Sequence, residues 1–210
     1  MIYFATPSSP DARARMTVGQ LGWIDTPKQA NIRPSNVTWC ADNGCYTGGT
    51  NWKPDHWWSW LQRHAPHAEQ CAFATAPDVL GDAAATLDRA APWLPRIRQL
   101  GYPAGYVAQD GITDTSIPWD SFDVLFIGGT DAFKFSADAI TTAAQAKARG
   151  KWVHCGRINS LRRWRIAAAI GCDSADGTFL KYAPDQNMVR LMTWLADLHQ
   201  YALFDLAAMP

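Results

Sequence analysis

The chain has 210 residues and a formal net charge of zero, with 19 basic and 19 acidic side chains. That length suits one domain spanning residues 1–210 with a substantial core, and the charge balance excludes a whole-molecule field that draws in nucleic acid, so any such binding must come from a local patch. The five cysteines contain no CxxC pair, which argues against a disulfide framework and against a structural zinc site.

The N-terminal "MIYFATPSSP" has no basic segment followed by a long apolar run, so no signal peptide is expected. No run of about 18 apolar residues occurs, so no membrane span is expected and the chain reads as a soluble intracellular domain. Strands are predicted at "IYFA" (2–5), "VTWCA" (37–41), "CAFATA" (71–76), "AGYVAQ" (104–109), "DVLFIG" (123–128), "KWVHCG" (151–156) and "GCDSA" (171–175). Helical patterns lie between them: "PDHWWSWLQRHA", "DAAATLDRAAPWLPRIRQLG", "SADAITTAAQAKARG", "SLRRWRIAAAIG" and, last, "PDQNMVRLMTWLADLHQYALFDL". Trp57, Trp60 and Leu61 fall at i, i+3, i+4, a core-facing stripe rather than a stacking platform. Ser136 and Ser160 are expected N-caps, and Gly101 and Gly150 expected helix stops. Cys71, Cys155 and Cys172 sit in apolar runs and read as small buried hydrophobes.

Strand and helix alternating this way predict a parallel sheet with helices outside it. An open doubly wound sheet and a closed barrel both fit. The number of strands favours a compact α/β fold of the (β/α)8 TIM-like barrel type, and "IGGTD" is not the glycine fingerprint of a dinucleotide fold.

Polar residues recur where the strands end. Asp42 follows "TWCA", Asp78 follows "FATAP", Gln109 and Asp110 follow "GYVA", and Gly128 and Gly129 follow "LFI". His154 and Arg157 flank the end of "WVHCG", and Asp176 follows "CDSA". Helix capping alone could place an Asp or Ser at two or three such ends, the alternative for Asp78 and Asp82; a pattern repeated at five ends points to an active rim. Several carboxylates and an amide around one pocket, with no metal cluster, suit chemistry at an acetal-like carbon: one carboxylate attacks, another moves a proton. His64 and His67 form the only metal-like pair, and their place by a proline at a helix end reads as a solvated turn. No metal and no cofactor are expected.

The ordered motifs "ADNGCY", "VAQDG", "FIGGT", "HCGRI" and "GCDSADG" resemble, in the same order, those of the tRNA-guanine (queuine) transglycosylases. They span residues 41–177, and the chain looks closer still to the short phage-type relatives that place 7-deazaguanine bases in DNA. The resemblance implies exchange of guanine for a 7-deazaguanine base through a covalent aspartyl–sugar intermediate. It implies that Asp176 is the nucleophile and Asp42 the proton-transfer carboxylate, with Asp173 structural. It places Asp78 on the N1 and amino edge of the base, Gln109 opposite O6, and Gly128 and Gly129 beside it. Asn43 falls within the same base-binding set. Tyr46 would stack on one face of the base, and Cys155 would stand where the family has a methionine on the other.

Two family features are missing. The zinc-binding cysteines beyond the nucleophile are absent, so no zinc subdomain is expected, and "GTFLKYAP" replaces the stretch that holds the anticodon loop. Both departures favour DNA over tRNA, with a free 7-deazaguanine base as the second partner and host cytoplasm as the place if the chain is phage-encoded. Lys134 lies near a position where the family has an acidic residue. Nucleic-acid contacts are expected from Arg157, Arg162, Arg163 and Lys134, with Arg165 and Lys151 nearby; a solvated helix face is the alternative. The target nucleotide must leave its stack for its C1′ to be reached. The same carboxylates would also serve a glycoside or nucleoside hydrolase, and a catalytically silent binding subunit is the alternative from outside enzymology.

Overall fold

Eight short parallel strands close on themselves in strict chain order. In the computed structural model, which describes residues 1–29, 31–113 and 117–207, they are β1 (Ile2–Ala5), β2 (Gly22–Asp25), β3 (Trp39–Ala41), β4 (Cys71–Thr75), β5 (Ala104–Ala108), β6 (Val124–Ile127), β7 (Trp152–Cys155) and β8 (Ser174–Gly177). β8 returns to pair with β1, with Phe4 opposite Asp176. This is the expected (β/α)8 class. The helices are α1 (Pro10–Thr17), α2 (Cys45–Gly48), α3 (Pro54–His64), α4 (Ala83–Ala90), α5 (Leu94–Gln99), α6 (Ala137–Ala148), α7 (Leu161–Ala169) and α8 (Pro184–Ala207). None of the described helices is long and apolar enough to cross a membrane.

The two-residue period of each strand sorts the core into two layers. Phe4, Ile24, Cys40, Phe73 and Val124 fill the barrel's interior. Their chain neighbours Tyr3, Trp23, Trp39, Ala74 and Leu125 point outward into the layer beneath the helices. Helices approach closely where their inner faces are small: α6 buries Ala139, Ala143 and Ala146. α3 buries Trp57, Trp60 and Leu61 as its spacing predicts, and Trp57 meets Trp93 edge to face at 5.2 Å. Such a pair contributes about 1 kcal/mol beyond its buried area.

Caps and stops follow the expected chemistry. Ser136 and Ser160 accept from the amides of Ala139 and Arg163. Gly101 and Gly150 take φ of 88° and 68° after α5 and α6, a left-handed turn that costs glycine little. Asp82 caps α4 by accepting from Ala85 N at 2.9 Å.

Three differences from the sequence reading have physical causes. β2 and α1 were not expected. β2 is a four-residue strand that begins at glycine, and α1 buries only Ala12 and Met16, too few for a periodic signal. The single helix expected over 82–101 breaks into α4 and α5, because Pro92 has no N–H and its ring would strike the carbonyl four residues back, while Pro95 sits in the first turn of α5 where proline is tolerated. β8 begins three residues later than expected, at Ser174. Gly171 ends the turn after α7 at φ 89°, and Asp173 accepts from Val153 N at 2.8 Å and pairs with Lys147 at 2.7 Å. Asp173 is therefore structural, and Asp176 rather than Asp173 lies on the closing strand.

Candidate active site

The C-terminal strand ends surround one cavity of about 830 Å³. Asp42, Asn43, Tyr46, Asp78, Gln109, Gly128, Gly129, Arg157 and Asp176, all expected at the site, line it.

Asp176 projects from β8, and only 9% of the residue is exposed. Its Oδ1 accepts from Arg157 N at 3.1 Å, and its Oδ2 lies 2.9 Å from His154 Nε2. Arg157 adopts φ 60°, a region sparsely used by residues with a Cβ. The turn is held there by its amide on Asp176 and by Ile158 N donating to Asp176 O at 2.6 Å.

Asp42 stands just past β3, where its Oδ1 accepts from Gly44 N at 2.9 Å. Burial pushes its carboxyl up to about 7, reinforced by the negative charges of Asp176 and Asp78 and opposed by the Gly44 amide. A carboxyl poised near neutrality can both give and take a proton at working pH.

The third carboxylate is set by its neighbours. Asp78 Oδ1 accepts from Asn43 Nδ2 at 2.9 Å and Oδ2 from Gln109 Nε2 at 2.6 Å. Burial pushes its pKa above the usual carboxylate range, and the Asn43 and Gln109 bonds oppose the rise. Asn43 also donates to Ala76 O and accepts from Cys45 N, so both of its amide hydrogens are used within the protein. It holds Asp78 in place from the cavity wall. Among the described residues Gln109 keeps one amide hydrogen uncommitted, because Nε2 carries two and only one is taken by Asp78.

Gly128 and Gly129 let the β6 end pass close to its neighbours. A Cβ at Gly129, where φ is 70°, would overlap the Phe133 ring and crowd Asp110 Oδ2. Opposite, Tyr46 is 60% exposed at the rim, and the Arg157 guanidinium lies 4.8 Å from the centre of its ring while also bonding Gly129 O.

Several expected contacts lie elsewhere. Cys155 does not face the cavity: His154 points into the barrel, so the next residue on β7 points outward, and Cys155 is fully buried in the layer beneath the helices. Lys134 cannot touch nucleic acid, since it is 0% exposed. Its Nζ has no hydrogen-bond partner among the described residues and lies 3.9 Å from Asp131 Oδ1. Burial and the neighbouring Arg157 lower its pKa to about 8. Asp110 clasps Thr130 instead of lining the cavity. The proposed basic face is largely spent: Arg163 pairs with Asp131 and Arg165 with Asp197, each at 2.8 Å, while Arg162 is exposed outside the cavity lining. Lys151 bonds Phe122 O at the opposite end of the barrel.

Sequence reasoning missed Lys28 and Lys181, which line the cavity from the loop after β2 and the turn after β8. It also left His154 without a partner. The alternation of β7 and β8, which turns His154 and Asp176 inward together, is the signal that could have joined them. Among the described residues no group of three metal-ligating side chains forms.

No protein-family model matches the chain, and no curated protein matches it. Among solved structures, the crystal structure of the Amycolatopsis orientalis BexX/CysO complex superposes with a TM-score of 0.58 at 14% identity, over 99% of this chain and 92% of that one. At that identity the likeness shows the barrel fold.

Proposed function

We propose that the chain is a guanine transglycosylase that exchanges guanine for a 7-deazaguanine base in nucleic acid, DNA before tRNA. The observation that carries the reading is that one cavity holds Asp176, Asp42 and Asp78 in three different chemical settings. Asp176 is hydrogen-bonded on both oxygens, Asp42 is poised near neutral pH, and Asp78 is held by two side-chain amides.

In the first half-reaction an Asp176 carboxylate oxygen bonds to C1′ as the C1′–N9 bond breaks, and the electron pair leaves on guanine, which takes a proton from the Asp42 carboxyl. In the second, N9 of the incoming base bonds to C1′ and loses its proton to Asp42, and the ester electrons return to Asp176. Atoms and protons balance over the cycle, with the base as the only net exchange. Asp78 suits the N1–H and amino donors of the base edge, and the spare Gln109 hydrogen suits O6. Lys28, Arg157 and Lys181 stand around the mouth where a flipped nucleotide's phosphates would pass, and a neutral chain needs such local cations.

The test is a denaturing gel of the protein with guanine-containing DNA, and separately with tRNA, each with a 7-deazaguanine base. A covalent band with DNA that disappears in Asp176→Ala is the expected result. A band with tRNA alone would move the substrate to RNA. Net loss of base without incorporation would convert the reading to a hydrolase, and no band with either polymer would reject it.

A further inference from the structure

His154 is buried to 0% exposure inside the barrel, and the reaction proposed above gives it no part. Its ring is packed among Phe126, Phe73 and Phe4, with centroids 4.5, 4.9 and 6.0 Å away. Both ring nitrogens are nonetheless engaged: Nδ1 lies 2.8 Å from Ser174 Oγ and Nε2 lies 2.9 Å from Asp176 Oδ2. Ser174 Oγ also accepts from the Trp152 indole N–H at 2.8 Å.

The chemistry of these groups sets the direction of the chain. An indole nitrogen only donates, so Trp152 gives its proton to Ser174. The serine hydroxyl has one proton of its own, and among the described residues Nδ1 is its one acceptor. Nδ1 is then bare, and the ring proton is on Nε2, facing the carboxylate. The opposite tautomer would set a nitrogen lone pair against a carboxylate oxygen and leave the serine proton with no acceptor in a buried place.

We infer that His154 is a positioning residue for Asp176, holding its carboxylate through a one-way relay that runs Trp152 to Ser174 to His154 to Asp176. The relay and the Arg157 amide grip different oxygens, so the carboxylate cannot rotate about its bond to Cβ. Oδ2 is turned to the buried ring, and Oδ1 is the oxygen presented on the cavity side. The same Nε2–H steadies the carboxylate as it re-forms when the ester breaks, with no proton changing hands. The inference uses the reading of Asp176 as nucleophile for its catalytic consequence. The relay itself is a property of the protein alone.

Two measurements test them separately. Nitrogen-15 spectra of the histidine-labelled protein, with the His154 signals identified by their loss in His154→Gln, should show a ring protonated at Nε2 and accepting at Nδ1. Ser174→Ala should mix the tautomers. A ring protonated at Nδ1 in the wild type overturns the relay.

For the consequence, the rate of covalent-adduct formation on DNA should fall about 100-fold in His154→Phe, the scale of a misplaced reacting group, with DNA affinity unchanged. His154→Gln, whose Nε2–H2 can still donate to Asp176, should stay within about tenfold of wild type on the same grounds. Thermal unfolding separates loss of the fold from loss of positioning, and Ser174→Ala supplies a milder variant if His154→Phe does not fold. Equal rates for wild type, His154→Phe and Ser174→Ala overturn the positioning role. If the wild type itself forms no adduct, the transglycosylase reading fails, and the nitrogen-15 spectrum still decides the relay.

Discussion

Gln109 Nε2 stands 2.6 Å from Asp78 Oδ2, and Gly81 N donates to Gln109 Oε1 at 2.9 Å, so the amide can point only one way. With Asn43 on the other oxygen, the Asp78 carboxylate is presented between two donors. Asp78→Asn puts a donor where an acceptor is required and sets one amide against another. The expected outcome is a rise of about 10- to 100-fold in KM for the free base, the cost of one unmatched buried polar group. Steady-state kinetics with the base as varied substrate would check it, and an unchanged KM would remove Asp78 from base recognition.

Asp42 links activity and stability to pH in a defined direction. In the proposed reaction adduct formation uses its protonated form, so the single-turnover rate should fall as pH rises through about 7. Asp42→Asn should be slower by a factor on the order of 100 and flat across that range. For stability, the folded carboxyl titrates near 7 and the unfolded one at its ordinary value of 3.8. As pH climbs between those values the unfolded chain releases a proton that the fold retains. The fold is thus progressively disfavoured, with the full penalty above the folded value. Asp42→Asn should match wild type near pH 4 and exceed it by about 1–2 kcal/mol near pH 8, a figure reduced from the full shift because the group borders the open cavity. Urea unfolding at the two pH values measures the difference.

Gly177 ends β8 against Ile158 O, the Tyr3 hydroxyl and Asn159 Oδ1, all of which a Cβ would overlap. Two of these cannot yield cheaply, since Tyr3 donates to Ile158 O at 2.9 Å. Gly177→Ala should cost about 1–3 kcal/mol of stability by overpacking, and should slow the adduct step further by moving the adjacent Asp176. A melting curve and a single-turnover rate on the same sample would check both.

The basic side chains separate by position. Lys28→Ala combined with Lys181→Ala should weaken DNA binding and reduce the slope of log affinity against log salt by about 1.4, or about 0.7 for each lost phosphate contact on a single strand. Arg162→Ala, outside the cavity, should leave both within about twofold, as for a solvated surface charge. Binding titrations at several salt concentrations distinguish the two.

The barrel was legible because apolar strand runs and helical stripes repeat, and the polar residues at the strand ends showed which rim to examine. Legibility failed where the signal was a direction and not a pattern. Cys155 and His154 are neighbours on one strand; the motif match favoured the first, while the alternation of side chains sends it outward and brings the second to Asp176. Lys134 and Lys28 look alike in sequence. One is walled in beneath the loops and the other opens on the cavity, a difference set by how the turns after β6 and β2 fold back. Asp25 and Arg33 went unnoticed for the same reason: their 2.9 Å pair, with the guanidinium 3.5 Å from the Trp39 ring centre, joins segments whose meeting no local pattern announces.

β8 is the last strand among the described residues and lies between β7 and β1, with Asp176 directly across from Phe4. The proposed nucleophile is therefore delivered by the step that joins the two ends of the sheet. A chain still emerging from the ribosome, or one cut before β8, possesses the Asp42 and Asp78 side chains yet lacks the closing strand with Ser174 and Asp176. Completion of the barrel and completion of the candidate site are one event, so a partly made molecule is expected to form no covalent adduct with DNA.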